Sequence, residues 1–87
     1  MYIHLGNNIM LPTNEIIGIF DLENTSVSKR TRDFLNNADK KGKVVTISYD
    51  LPRSFIIAGK SYKDSKIYIS QISSQTLLKR TGYIDSL

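Results

Sequence analysis

The chain has 87 residues, enough for one domain and one thin core that buries about 60–65% of the unfolded surface. It has no Cys and a single His, His4, which excludes disulfides and leaves no donor set for a structural zinc ion. The formal charge of +4 suits an anionic partner without requiring one, and no apolar run approaches the roughly 18 residues of a membrane span.

The first twenty residues read as strands. Ile3 and Leu5 alternate with Tyr2 and His4, and Gly6-Asn7-Asn8 supplies residues that tolerate positive φ in a tight turn. His4, between two core residues, is expected to be partly buried and satisfied rather than catalytic. Ile9-Met10-Leu11 resumes the strand and Pro12-Thr13-Asn14 interrupts it, because Pro has no N–H for a ladder. The run Ile16 to Phe20 is too short for a buried helix and reads as a central strand, with a bulge or close backbone approach at Gly18.

The period then changes. Val27, Thr31, Phe34, Leu35 and Ala38 lie on one face of a helix, with Thr25 or Ser26 as its cap and Gly42 at the left-handed position beyond its end. Lys29, Arg32, Asn36 and Lys40 lie opposite that apolar stripe. Three strands follow: Lys43 to Tyr49, Phe55 to Ala58 and Lys66 to Ile72. They are separated by the turn Asp50-Leu51-Pro52-Arg53 and the polar loop Gly59 to Asp64. Tyr49 and Tyr68 are expected in the core or a subunit interface. Ser73 or Ser74 caps a short C-terminal helix carrying Leu77 and Leu78, closed by Gly82 with Tyr83 in contact behind it. The result is one α+β domain over residues 1–87: a small, mainly antiparallel sheet, one central helix and a short C-terminal helix.

Catalysis needs groups placed in concert, and this chain offers none. One His and no Cys remove the usual nucleophile–base pairs, the carboxylates lack metal-binding spacing, and the five Gly fall singly. The reading is a binding protein, not an enzyme, with no cofactor, metal, membrane or small-molecule substrate. The N-terminus lacks the basic start of a signal peptide, so a cytoplasmic location is expected.

Charge is unevenly spread. Residues 1–25 hold Glu15, Asp21 and Glu23 without a Lys or Arg, whereas residues 26–60 hold eight basic side chains against three Asp. In the basic part, Arg53 after the Pro52 turn and Lys60 and Lys63 in the next loop are candidate phosphate contacts at opposite ends of one hairpin. The helix surface around Lys29, Arg32 and Lys40 is a candidate protein-binding face. A thin core without staples points to self-association.

The segments Tyr2-Ile3-His4-Leu5-Gly6, Glu15-Ile16-Ile17-Gly18-Ile19-Phe20-Asp21, Glu23-Asn24-Thr25, Ser28-Lys29-Arg30-Thr31-Arg32 and Ala38-Asp39-Lys40-Lys41-Gly42 resemble the RemA/RemB family of bacterial extracellular-matrix (biofilm) regulators, nearest its RemB branch. The similarity runs along nearly the whole chain. It implies a LytTR-like fold assembled into a ring-shaped homo-oligomer. In the RemA branch it also implies a ring that binds double-stranded DNA and activates transcription. The arginines credited with DNA contact in that branch correspond here to Glu15 and to the turn Leu51-Pro52-Arg53, in which Arg53 alone matches. Two readings follow: a ring-shaped DNA-binding transcriptional regulator, or an oligomeric scaffold of the same fold that binds protein instead.

Overall fold

A computed structural model describes residues 1–23 and 28–81. Strands β1 (Tyr2–Gly6) and β2 (Ile9–Pro12) form an antiparallel hairpin. Its turn places Gly6, Asn7 and Asn8 at φ of 105°, 49° and 65°, the left-handed region that Gly and Asn tolerate best. A 3-10 turn, Thr13–Glu15, leads into β3 (Ile16–Asp21). Helix α1 (Lys29–Lys40), β4 (Val44–Thr46), β5 (Ser54–Ala58), β6 (Lys66–Ser70) and α2 (Ser74–Thr81) complete the fold.

The second sheet has four strands in the order β3-β5-β6-β4. β3–β5 and β5–β6 are antiparallel and β4–β6 is parallel, so the class is α+β and the pairing mostly antiparallel. β5, with all five residues buried, is the apolar centre. Its alternate side chains serve opposite faces. Ile56 and Ala58 join Ile3, Leu5, Ile47 and Leu77 under the β1–β2 hairpin and α2. Phe55 and Ile57 join Ile67 and Ala38 under α1. The sheet is therefore a middle layer with a cover on each face.

Both helices have the punctuation their sequences offer. Ser28 caps α1 by accepting the Thr31 N–H at 3.2 Å. Thr25 and Ser26, the expected caps, lie outside the described residues, as does Val27 of the expected stripe. At the other end Gly42, at φ 71°, lets its N–H reach the Asp39 carbonyl and the Lys43 N–H reach the Ala38 carbonyl, a Schellman closure. Ser73 caps α2 by accepting the Thr76 N–H at 3.2 Å; the expected closure at Gly82 and Tyr83 lies outside the described residues.

Four expectations are corrected. β3 is an edge strand, not a central one, and Ile17 and Phe20 on it are exposed. The strand expected from Lys43 to Tyr49 spans only Val44–Thr46; Ile47 still packs in the core, but Tyr49 is 97% exposed, which excludes the core and leaves the interface alternative of the expectation. The strand expected to reach Ile72 ends at Ser70, whose hydroxyl accepts the Ile72 N–H and turns the chain toward α2. His4 is exposed, because β1 packs one face on the core and turns the other to solvent. The bulge expected at Gly18 is present, as a register shift between Ile16 and Gly18. A Cβ on Gly18 would stand 2.6 Å from the Phe20 ring, which stacks on Phe55 with centroids 4.9 Å apart.

Candidate nucleic-acid interface

β5 and β6 run antiparallel, and the basic candidates sit at the two ends of this hairpin. Arg53 precedes β5; Lys60 and Lys63 follow it. Five strand residues at ~3.3 Å each set the ends about 17 Å apart. The structure therefore does not gather the three residues into one site but presents them as two.

At the first end the Arg53 backbone is clamped. Its N–H donates to the Ser70 carbonyl at 2.9 Å, and its carbonyl accepts the Leu22 N–H at 3.0 Å. The side chain is half exposed, and its Nε donates to Glu23, the sole ion pair among the described residues. Such a half-exposed pair contributes little to stability, so Glu23 chiefly orients Arg53 and offsets its charge. Nothing local in the sequence signals this pairing across thirty positions; it follows from the end of β3 lying beside the start of β5.

The second end is a folded loop. Gly59 donates its N–H to the Glu15 carbonyl at 2.8 Å, and a Cβ there would lie 2.7 Å from the Ser65 Cα, so the loop closes only around Gly. Ser65 donates its hydroxyl to the Tyr62 carbonyl at 2.6 Å, and the Asp64 N–H bonds Ser61. The turns leave Lys60, Tyr62 and Lys63 exposed. Glu15 is anchored at this same end through its backbone carbonyl.

Sequence reasoning missed two lysines here. Lys41 and Lys43, beyond α1, line a cleft of about 260 Å³ with Tyr62 and Phe34, and the Lys43 Nζ donates to the Lys63 carbonyl at 3.1 Å. The loop end is thus richer in cations than its own residues suggest. Their link spans twenty positions and depends on β4 lying parallel to β6.

Lys29, Arg32 and Lys40 are all exposed, on the side of α1 away from Phe34, Leu35 and Ala38, which face the sheet. They form a solvated ridge along the helix, one turn or more apart. No group of three or more His, Asp or Glu side chains able to hold a metal occurs among the described residues, and no helix among them is long and apolar enough to cross a membrane.

What this arrangement offers is cations at two separated ends of a hairpin, with Glu23, just after β3, paired to Arg53 at one end and the backbone of Glu15, just before β3, held at the other. Phosphates can be met there one at a time, by charge and hydrogen bonding and without chemistry. The RemA-like family, described as extracellular matrix regulatory protein A-like, matches residues 2–81. The extracellular matrix regulatory protein B of Bacillus subtilis (strain 168) is 36% identical over 84 residues, covering 97% of this chain and 94% of that protein.

Proposed function

We propose, because this chain belongs to the RemA-like family of extracellular matrix regulatory proteins, that it is a transcriptional regulator of matrix production that binds double-stranded DNA as a ring-shaped homo-oligomer. The supporting observation is the placement of Arg53 at one end of the β5–β6 hairpin and Lys60 and Lys63 at the other, all exposed on a clamped backbone. One copy offers few phosphate contacts. A ring repeats them, and tethered contacts add by effective concentration rather than by greater individual strength.

A second reading rests on the Arg53–Glu23 pair and on Glu15. The first places a carboxylate on a cation that DNA would need, and the second is an acidic residue whose backbone is held at the Lys60–Lys63 end. In that reading the ring is a scaffold, and the ridge of Lys29, Arg32 and Lys40 meets an acidic protein partner.

Fluorescence anisotropy with duplex DNA over a salt series separates the two. The DNA reading expects affinity to fall steeply with salt, by about 0.9 in log–log slope for each phosphate contacted. Arg53→Ala should reduce that slope by about one for each Arg53 in contact. Absence of binding at low salt would remove the DNA reading. Loss of a protein partner in the charge-reversed double variant Lys29→Glu/Arg32→Glu, with oligomer mass unchanged, would then favour the scaffold.

A further inference from the structure

The four-stranded sheet has two open edges, and they differ in a way that specifies how copies join. β3 is antiparallel to β5, β5 is antiparallel to β6, and β6 is parallel to β4. The two edge strands therefore run in the same direction. A sheet with this property can be continued head to tail, the β4 of one copy alongside the β3 of the next, without reversing either.

Neither edge carries a Lys or Pro within the strand, and the protection present is the β3 bulge between Ile16 and Gly18 and the shortness of β4. β3 exposes Ile17 (47%) and Phe20 (43%), and a notch of about 230 Å³ of mixed polarity, lined by Ile16, Ile17, Ile19 and Leu78 together with Thr13 and Thr81, lies beside it. On the β4 side, Lys43 and Ile47 make the backbone bonds to β6, through Ile67 N–H to the Lys43 carbonyl and Ile47 N–H to the Ile69 carbonyl. By the alternation of a parallel ladder, Val44 and Thr46 turn their N–H groups outward. Beyond β4 the chain exposes Tyr49 and Leu51. The β3 edge thus combines outward backbone with exposed apolar side chains, and the β4 edge offers outward N–H groups with Tyr49 and Leu51 exposed farther along the chain.

Charge selects between the ways of using them. In the sheet, Glu15 and Lys43 lie at the same end, next to Ala58 and Lys66, whereas Asp21 and Glu23 lie at the end of Ser54. A parallel β4–β3 join brings the Lys43 end of one copy beside Glu15 of the next. A two-fold join of β3 with β3 is antiparallel and sets Glu15 against Asp21, like charge on like.

We infer that copies of this chain associate heterologously through the β3 edge of one and the β4 edge of the next. The partner is a second copy of the same chain. The inference rests on the homo-oligomer proposed above and says where its seam runs. Because each copy uses two different surfaces, the assembly closes into a ring or grows as a filament, and does not stop at a dimer.

A pair of complementary variants tests this by light scattering coupled to size exclusion, with circular dichroism to show that each is folded. Ile17→Lys blocks the β3 edge and Thr46→Pro removes an outward N–H from the β4 edge. Each alone should be monomeric. Mixed, they retain one intact β4 edge and one intact β3 edge, and should form a 1:1 dimer at twice the chain's 9.9 kDa. Dimerisation of Thr46→Pro by itself would overturn the heterologous seam in favour of β3 on β3. An oligomer unchanged by either variant would overturn the seam while leaving the homo-oligomer standing. A monomeric unsubstituted chain would overturn both.

Discussion

The two faces of the central sheet are covered in different ways. The face under the β1–β2 hairpin and α2 is sealed: Ile3, Leu5, Ile56 and Leu77 are 0–1% exposed. It is also tied by buried hydroxyls, with Ser70 donating to the Leu5 carbonyl at 2.8 Å and Ser54 donating to the Ile72 carbonyl at 2.7 Å. The face under α1 has no comparably sealed residue. Ala38, Phe55, Ile57 and Ile67 are 4–7% exposed, Phe34 and Leu35 are half-buried, and a cleft opens beside them. Stability is expected to concentrate on the first face. The second face, beside the cleft lined by Lys41 and Lys43, is expected to loosen first.

The largest test of this contrast is Leu77→Ala. Removing a fully buried side chain from the sealed face should cost about 2–5 kcal/mol, read as a fall in urea midpoint. A cost under about 1 kcal/mol, the range expected of a tolerant site, would break the comparison. Ser70→Ala comes next. It leaves a buried carbonyl of Leu5 without its donor and frees the Ile72 N–H, and should cost about 1–3 kcal/mol by the same measurement. Ser28→Ala is the smallest. Loss of the α1 cap should cost about 1 kcal/mol, and hydrogen exchange should quicken in the first turns of α1 while β5 amides keep their protection. Equal quickening in β5 would show that the two faces open together.

Much of this fold can be read from local pattern. The alternation of Ile3 and Leu5, the apolar run of β5 and the helical stripe of Phe34, Leu35 and Ala38 each name their buried side directly. The turns at Gly6-Asn7-Asn8 and Gly42 announce themselves by residue type. The order of strands is different, because it depends on which segments cross over. Ile16–Phe20 has the composition of a buried strand, yet α1 carries the chain from β3 at one edge to β4 at the other, and β5 and β6 fill the middle, which leaves β3 outside. Tyr49 continues the alternation of Val45 and Ile47, but the ladder ends before it, so period alone misplaces it.

The basic candidates show the same division. Arg53, Lys60 and Lys63 are visible as loop cations, and their exposure follows from the turns that hold them. Their neighbours are not visible in the same way. The partners Glu23 for Arg53 and Lys43 for Lys63 are thirty and twenty residues away, brought there only by the folded sheet.

The sealed face has a consequence in time. Leu5 packs with Leu77, and Arg80 donates to the His4 carbonyl at 2.9 Å, so the start of the chain is covered by residues synthesised more than seventy positions later. At roughly 5–20 residues per second of translation, that is a wait of several seconds. During it the first hairpin and the apolar edge of β3 stand uncovered beside copies emerging from neighbouring ribosomes.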